Sequence, residues 1–375
     1  MLRIICLTGL FFLLPTFLNA QETYRLKSGE GKSLKMPYAK MALTAKLVGP
    51  VVSDPDYFIW CFSPLMTKDG KVHAFASRWP SKEKMPGWYG PNAEIAHYVA
   101  DKPEGPFKFV KTIVNSKTLS DTVHMSAPHN PRLEYVDGKY VLLFIIQDPA
   151  HKIFGQKICM AVAENLNGPW HFAGNNGIVV KPSNDPSHWT YKSAIGTDNP
   201  AFLKIGKKYY IYFKSGTPEQ MKAKYGYAVS DKLQGPYTLC KAPITDNVSY
   251  IEDAQAFSVK KHYYLLTTDN LGNNSGVFGS LILWKSDTGT DFKLKNAKMA
   301  LGTIFDYWGK DDADRKNLLA TPNIFIHNES GKLERPAILK IKNRPAYLYG
   351  PACVNIEGGG SSVPYVFKID WNSGE

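Results

Sequence analysis

Cysteine is scarce in this sequence, and the few cysteines stand far apart. Cys6 lies in the apolar N-terminal segment, and the others are Cys61, Cys159, Cys240 and Cys353. No CxxC spacing occurs, which argues against a zinc site. An exported chain could pair these residues in disulfides. However, Cys61 and Cys159 sit in apolar runs, and this favours buried free thiols.

Signatures of several other protein classes are also missing. The sequence has no nucleotide-binding glycine-rich loop, no HExxH and no serine nucleophile elbow. The formal net charge is +12, yet no Lys/Arg cluster of the kind that binds nucleic acid occurs. A solvated basic surface accounts for this charge, and an acidic polysaccharide partner is the functional alternative.

Only one extended apolar run occurs, and it lies at the N-terminus. It follows Arg3, covers residues 4–18, and precedes the small-residue cleavage site Leu18-Asn19-Ala20. Pro15 interrupts the run, which is too short for a good membrane span. The sequence therefore predicts a signal peptide over residues 1–20 and a periplasmic or secreted mature protein.

Helical periodicity is absent from the rest of the chain. Residues 21–47 are a polar lead-in, and the predicted domain covers residues 48–375. Within it, short runs rich in Val, Ile, Tyr and Phe are divided by Gly, Asp and Pro. This pattern is typical of antiparallel β-structure.

One hairpin pattern occurs five times. Each copy begins with a tripeptide that ends in Pro or Ala, followed by an apolar strand, a turn and a second strand. These head tripeptides are Phe62-Ser63-Pro64, His129-Asn130-Pro131, Asp198-Asn199-Pro200, Glu252-Asp253-Ala254 and Glu334-Arg335-Pro336. Five hairpins in phase are hard to obtain by chance.

A second pattern alternates with the first. It consists of a strand, a turn ending in Gly-Pro, and an aromatic residue that begins an outer strand. Three copies carry Phe107, Trp170 and Tyr237, and a degraded fourth carries Phe292. Four strands per repeat define a propeller blade. The sequence thus predicts an all-β fold, a five-bladed β-propeller with four-stranded antiparallel blades and aromatic plugs between neighbouring sheets.

These two patterns resemble those of the five-bladed β-propeller glycosidases, the glycoside hydrolase family 43 superfamily with relatives in families 32, 62, 68 and 117. The resemblance covers about Asp54 to Trp371 and rests on the blades, on residues 98–107 with their later copies, and on Glu252. In that superfamily the first strand of each blade lines a funnel with three carboxylates. These are a base, an acid, and one that tunes the acid and orients the substrate.

The resemblance implies roles for three carboxylates of this chain. Glu252 is similar to the general acid of a Glu-x-Pro frame, with Ala in place of Pro. Asp198 stands one position from its place in the Asp-Pro frame of the third blade. Ser63 occupies the blade-one position that usually holds the base. Asp198 or Glu334 is therefore expected to supply the base or the orienting carboxylate.

The residue types support the same chemistry. Asp198, Glu252 and Glu334 share one position in the head tripeptides, and His129 fills it in the second copy. Glycoside hydrolysis needs one protonated and one ionised carboxyl group. Several carboxyl groups in one funnel raise some pKa values by repulsion and desolvation, so we expect a raised pKa for Glu252. Turn caps, ion pairs and a buried core histidine are the structural alternatives.

The predicted substrate-binding residues are further members of the head tripeptides and an Arg-Trp pair after the first hairpin. They are His129, Asn130, Asn199, Asp253, Arg335, Arg78 and Trp79. A planar guanidinium beside an indole suits a sugar carboxylate and a stacking face, and a surface cation–π pair is the alternative. No cofactor is predicted, although the resemblance leaves an axial calcium ion open.

The sequence therefore predicts an exported glycoside hydrolase, exo-acting on oligosaccharides derived from plant or algal polysaccharide. Its partner would be an oligosaccharide, with an anionic one as a variant, and neither nucleic acid nor a membrane span is expected. A non-catalytic carbohydrate-binding propeller is the second interpretation, because Ser63 stands at the base position. A polysaccharide lyase with a His or Tyr base and a neutralising Arg is the third.

Overall fold

The computed structural model describes most of the chain from residue 34 onward. Described are residues 34–371 except 53, 124–125, 148–154, 175, 217–222, 309–325, 328–329 and 355–360. The predicted signal peptide lies outside the described residues. None of the described helices has the length and apolar character needed to cross a bilayer.

The described strands form the predicted five-bladed propeller. Strand β1 (Lys46–Pro50) comes first along the chain. Blade 1 contains β2 (Tyr57–Met66), β3 (Val72–Pro80), β4 (Glu94–Ala100) and β5 (Lys108–Asn115). Blade 2 contains β6 (Ser126–Val136), β7 (Lys139–Gln147), β8 (Lys157–Ala163), β9 (His171–Phe172) and β10 (Ile178–Val180). Blade 3 contains β11 (Asp198–Ile205), β12 (Lys208–Ser215), β13 (Lys224–Ser230) and β14 (Thr238–Leu239).

The last two blades complete the ring. Blade 4 contains β15 (Ile251–Val259), β16 (His262–Asp269), β17 (Leu281–Ser286) and β18 (Lys298–Leu301). A two-stranded sheet follows, with β19 (Ile326–His327) and β20 (Ser330–Gly331). Blade 5 contains β21 (Ala337–Ile341), β22 (Arg344–Val354), β23 (Ser361–Lys368) and, at its outer edge, β1. Helices α1 (Lys40–Thr44) and α2 (Ser116–Val123) complete the described elements, with short 3-10 turns at Ser81–Glu83, Met85–Tyr89, Leu294–Asn296 and Ile304–Asp306.

Strand β1 closes the ring between the two ends of the described chain. It pairs antiparallel with β23, from Lys46 opposite Lys368 to Pro50 opposite Tyr365. The segment before it is also tied down, because the Ala39 amide donates to the Met299 carbonyl of β18 at 2.8 Å. The part of the predicted lead-in that the structure describes therefore packs against the blades.

The aromatic residues after the Gly-Pro turns plug the spaces between blades, as predicted. Phe107 of blade 1 packs edge-on against Tyr349 of blade 5, with ring centroids 6.5 Å apart. Trp170 of blade 2 meets Phe75 of blade 1 at 5.4 Å. Each buried aromatic side chain contributes about 1.5–3 kcal/mol relative to an exposed one. These aromatic residues fill the spaces between neighbouring blades and so fix the positions of the inner strands that line the funnel.

The innermost strands of blades 1 to 4 each carry a bulge where they approach the axis, and in blade 5 the corresponding residues 334–336 lie just before β21. In β6 the register slips between His129 and Arg132, and in β2 it slips between Trp60 and Ser63. Blade 1 is therefore aligned with the others through Trp60-Cys61-Phe62, two residues before the predicted Phe62-Ser63-Pro64. That prediction was wrong because Pro64 lies in the regular strand beyond the bulge. Phe62 instead packs between blades 1 and 5, with its ring 5.8 Å from that of Tyr349.

Candidate active site

Five residues, one from each blade, meet at the axis, four of them from the bulges and Arg335 from the segment just before β21. They adopt positive φ angles near the left-handed region, which places their side chains toward the centre rather than along a blade face. These axial ring residues are Cys61 (φ 53°), Asn130 (53°), Asn199 (50°), Asp253 (68°) and Arg335 (50°). Asn and Asp tolerate this backbone conformation better than most residues.

Hydrogen bonds join the axial ring into a polar plug. The Cys61 thiol and the Asn130 side-chain amide lie 2.8 Å apart, and the amides of Asn130 and Asn199 meet at 2.9 Å. Asn199 Nδ2 donates to Asp253 Oδ1 at 2.9 Å. The Arg335 guanidinium forms an ion pair with Asp253 and also donates to Asn199. The plug therefore crosses the axis from blade to blade.

A buried guanidinium lies directly beneath the plug. Arg132 of blade 2 donates from Nη2 to the Ala254 carbonyl of blade 4 at 3.2 Å and to the Pro336 carbonyl of blade 5 at 3.5 Å. Sequence reasoning missed Arg132, although it follows His129 at the far end of the bulge. Together the axial ring and Arg132 close the floor of the funnel.

The predicted carboxylates stand above this floor, close to two lysines. Lys214 Nζ lies 2.9 Å from Glu252 Oε2 and 3.3 Å from Asp198 Oδ2. Lys332 Nζ lies 3.4 Å from Glu334 Oε1. The structure thus brings together all three predicted catalytic carboxylates, Asp198, Glu252 and Glu334, and adds cations that the sequence analysis did not identify.

The lysine partners follow from strand pairing rather than from the repeat. Lys214 ends the apolar run of β12 and lies directly opposite Asp198 in the antiparallel register. Cross-strand neighbours of this kind interact through their side chains. The hydroxyl of Tyr250 lies 3.2 Å from the same ammonium. A lysine at the end of an apolar strand, opposite a head tripeptide, is the signal that could have revealed it.

Three carboxylates have the spacing of a cation site. One oxygen each of Glu252, Asp253 and Glu334 lies within 4.8 Å of the others. Each already has a side-chain cation beside it. Lys214 contacts Glu252, Lys332 contacts Glu334, and Arg335 contacts Asp253. These protein cations supply the positive charge that a bound metal ion would otherwise supply.

Four carboxyl groups and three cations share the site. Full ionisation of Asp198, Glu252, Asp253 and Glu334 would therefore leave one excess negative charge beside Lys214, Lys332 and Arg335. An uncompensated buried charge is costly, and retention of one proton removes it. The site is arranged to hold both protonated and ionised carboxyl groups, as acid–base chemistry requires.

The pKa values of the individual carboxyl groups assign the protonated and the ionised role differently from what the sequence predicts. Burial raises the pKa of Asp198 to about 6, although Lys214 and Arg335 oppose the rise. Burial likewise raises the pKa of Glu334 against the charge of Lys332. Burial also acts on Glu252, but Lys214, Arg335 and Lys332 outweigh it and lower the pKa of Glu252 to about 2. The expected rise for Glu252 was wrong, because these cations surround it.

His129 heads β6 as predicted, but its ring is enclosed. Nδ1 lies 2.6 Å from the Ala127 carbonyl and Nε2 lies 3.1 Å from Gln156 Nε2, so Nδ1 donates and Nε2 accepts. The ring of Trp88 lies 4.7 Å away. Burial lowers the pKa of His129 to about 3, which keeps the imidazole neutral. A substrate contact for His129 stays a prediction.

The structure does not bring Arg78 and Trp79 to the funnel. Trp79 is 0% exposed, stacks on Phe58 at 5.3 Å, and donates from Nε1 to the Lys84 carbonyl. Arg78 pairs with Glu94 of the neighbouring strand at 2.6 Å. Successive residues of a strand point to opposite faces of the sheet, so both faces of blade 1 are used. The predicted sugar-stacking pair is a pair of packing residues.

Cys61, Cys159 and Cys240 are buried free thiols, which confirms that part of the cysteine prediction. The side chain of Cys353 lies outside the described part of the chain.

The fold and the carboxylate-lined funnel define a five-bladed propeller of the type found in glycosidases. Zg3597, a family 117 glycoside hydrolase from the marine bacterium Zobellia galactanivorans, is 14% identical with a TM-score of 0.61, over 87% of this chain and 90% of that chain. CoXyl43, a GH43 β-xylosidase/α-arabinofuranosidase from a compost metagenome, is 15% identical with a TM-score of 0.53, over 85% and 92%. Bacillus subtilis arabinanase Arb43A is 12% identical with a TM-score of 0.52, over 84% and 96%.

No protein-family profile and no curated protein matches the sequence of this chain. The resemblance predicted from the blade patterns is confirmed at the level of the fold.

Proposed function

We propose that this protein is a glycoside hydrolase whose reaction takes place above the closed floor of the funnel. The observation that carries the proposal is the pairing of oppositely tuned carboxyl groups on one ammonium. Asp198, with a pKa raised to about 6, and Glu252, with a pKa lowered to about 2, both contact Lys214. One protonated and one ionised carboxyl group beside the scissile bond is the requirement for glycosidic cleavage.

The proposed roles are the reverse of those implied by the resemblance. Asp198 is the general acid, because it holds a proton more readily than Glu252 and its Oδ1 has no hydrogen-bond partner within the described residues. Burial raises the pKa of Asp253 further, to about 8, but Asp253 is tied to Arg335 within the axial ring. The Asp198 proton passes to the glycosidic oxygen as the bond to the anomeric carbon breaks. Glu252 stabilises the positive charge that develops at that carbon. Water supplies the hydroxyl group to the anomeric carbon, and its remaining proton returns to an ionised carboxyl group.

Glu334 and Arg335 are the proposed orienting groups. The Glu334 carboxylate lies within 4.8 Å of Glu252, and the side chain of Arg335, a member of the axial ring, is 17% exposed. Arg335 thus combines a tether to Asp253 with an accessible edge for a sugar hydroxyl or carboxylate. Of the two arginines predicted to meet an anionic substrate, Arg335 is the one in the funnel.

Exo-action and export belong to the same proposal. The closed floor favours exo-action, since a sugar chain entering the funnel meets the axial ring and ends there. Export is supported by the apolar segment and cleavage site of residues 1–20. The fold relatives include one in complex with xylotriose, which supports short plant-type oligosaccharides as the substrate class.

The decisive experiment compares Asp198→Asn with the unmodified protein on plant and algal oligosaccharides and on nitrophenyl glycosides. Loss of general acid catalysis costs roughly 10²–10⁴-fold in kcat on natural oligosaccharides. The loss should shrink for nitrophenyl glycosides, because nitrophenolate leaves with little protonation. An equal loss on both substrate types would move the acid to Glu334.

A non-catalytic carbohydrate-binding propeller is the second candidate. It is favoured by blade 1, which places Trp60 and Cys61 where the other blades have His129-Asn130 or a carboxylate. Isothermal titration with the same oligosaccharides, alongside product analysis, separates the two. Binding without any released sugar, at every pH between 4 and 8, would establish the binding module.

A further inference from the structure

A loop after β16 forms part of the rim of the site. It runs through residues 270–280, and the carboxylate of Asp269, 0% exposed, organises it from below. Asp269 accepts hydrogen bonds from Asn274 N (3.1 Å), Asn274 Nδ2 (2.9 Å), Ser275 N (2.8 Å) and Ser275 Oγ (2.7 Å). Four donors on one buried carboxylate fix the start of the loop in a single arrangement.

The first residue of this loop, Asn270, bridges two charged groups of the site. Its Nδ2 donates to Glu252 Oε1, and its Oδ1 accepts from Lys332 Nζ. A side-chain amide can serve a carboxylate and an ammonium at once, because it carries both a donor and an acceptor. Neither a carboxylate nor an ammonium at this position could do so.

The same loop holds Lys332 from its other side. The Lys332 ammonium lies 5.1 Å from the centre of the Phe278 ring. Gly279 packs so closely that a Cβ there would lie 2.9 Å from Lys332 Cα. Lys332 in turn lies 3.4 Å from Glu334. The loop therefore positions the cation of Glu334 as well as one donor to Glu252.

We propose that Asn270 is a positioning residue that fixes the charge state of Glu252. This inference rests on the proposed glycosidase function and deepens it. Asn270 keeps Glu252 ionised by donating to Oε1, while Lys214 donates to Oε2. Its Oδ1 also accepts from Lys332, which Glu334, Phe278 and Gly279 hold in place from other sides. Asn270 itself takes no proton and touches no reacting atom.

Other groups also act on Glu252, and the test must separate them from Asn270. The titratable and charged neighbours are Lys214, Tyr250, Asp198, Asp253, Lys332, Glu334 and Arg335. All of them remain in place when Asn270 alone is changed. A shift in the titration of Glu252 then reports the lost amide.

The experiment uses Asn270→Ala and Asn270→Asp in the full chain, with two readouts. The first is the ¹³C NMR titration of the Glu252 carboxyl, and the second is the pH dependence of kcat/KM. Loss of a hydrogen bond to a charged group should raise the pKa of Glu252 by about one to two pH units. Asn270→Asp should raise it further, because a like charge then faces the carboxylate.

Activity requires ionised Glu252 and is lost as the pH falls through its pKa. The lowered pKa of Glu252 places this limb in the acid range for the unmodified protein, and both variants should move it toward neutral pH. Asn273→Ala is the matched control, since its exposed amide donates to Ser249 Oγ at 3.3 Å and not to the carboxylates. It should leave both readouts unchanged.

Asn270→Asp preserves side-chain volume, so it tests the idea even where Asn270→Ala fails to fold. An unchanged Glu252 titration in either folded variant would overturn the proposal. A shifted titration in a protein that cleaves no sugar would uphold the positioning role and reject the proposed function. The two ideas therefore fail separately.

Discussion

At Asp198 the effect of burial outweighs the attraction of the nearby cations. The Asp198 side chain is 7% exposed, and Lys214 contacts it at 3.3 Å without offsetting the desolvation, so the pKa stays raised at about 6 instead of 3.8. A proton held in this pKa range is available to a leaving group in mildly acidic to neutral water.

The raised pKa of Asp198 makes the stability of the fold depend on pH. The folded state binds the Asp198 proton more tightly than the unfolded state, so this contribution is complete below about pH 3.8 and is lost as the pH rises through about 6. Asp198→Asn should therefore gain stability relative to the unmodified protein between pH 4 and pH 7, by up to about 3 kcal/mol. Urea unfolding of both proteins at the two pH values measures this, and a pH-independent difference would contradict it.

The sequence predicts the carboxylates but not their partners, and the reason is visible at individual residues. Asp198, Glu252 and Glu334 could be found because they occupy one position of a repeat. Lys214 and Asn270 come from a second strand and a rim loop, where no repeat marks them. The lowered pKa of Glu252 depends on those residues, so its role could not be predicted correctly.

At the scale of the element, the bulged inner strand is the unit that builds the site. Each bulge inserts one extra residue and turns a side chain toward the axis, and in blades 3 and 4 the preceding residue, Asp198 or Glu252, is a carboxylate of the site. Blade 1 shows the limit of prediction, because Phe62-Ser63-Pro64 imitates a head tripeptide although the bulge lies at Cys61. A bulge depends on pairing with the next strand, which a proline position alone does not specify.

The second strand of blade 3 supplies the cation that joins two bulged strands. Lys214 on β12 is buried and contacts Asp198 of β11 and Glu252 of β15. Lys214→Met should cost about 3–5 kcal/mol near neutral pH, because it leaves buried carboxylates without their partner. The loss should be smaller at pH 4, where more of Asp198 is protonated.

Chemical denaturation at pH 7 and pH 4 measures this effect of Lys214. Lys204→Met is the control, since Lys204 forms a solvent-exposed pair with Asp137 at 2.6 Å. Exposed pairs contribute little, so the control should lose much less stability. Equal losses in the two variants would show that the buried pairing of Lys214 contributes no more than an exposed ion pair.

At the scale of the whole molecule, the blade number and strand order could be predicted, but the closure of the ring could not. Five inner hairpins and the Gly-Pro turns repeat along the chain and can be counted. The pairing of β1 with β23 joins residues more than 300 positions apart, from Lys46 to Lys368. Periodicity carries no information about such a pair, because β1 belongs to a blade that is otherwise made at the far end of the chain.

Closure by β1 should be essential to the stability of the ring. Removal of residues 46–50 would leave β23 as an unpaired edge, which lowers stability and invites pairing between molecules. We expect a lower midpoint of thermal unfolding and a larger fraction of soluble aggregates. Differential scanning calorimetry and light scattering on this deletion, beside the control Val48→Ser, measure both effects. The control leaves β1 paired, because the Val48 side chain is 49% exposed, and equal behaviour of the two proteins would contradict the expectation.

The same strand also fixes the order in which the protein can mature. A chain emerging from the ribosome or from an export channel presents β1 first, while its pairing partner β23 follows last. Four blades can assemble early, yet the circle stays open until the final blade arrives. Contacts between such distant positions form slowly. Until then the carboxylate site lacks Glu334 and Arg335. A newly made molecule therefore remains inactive until β23 has formed and paired with β1.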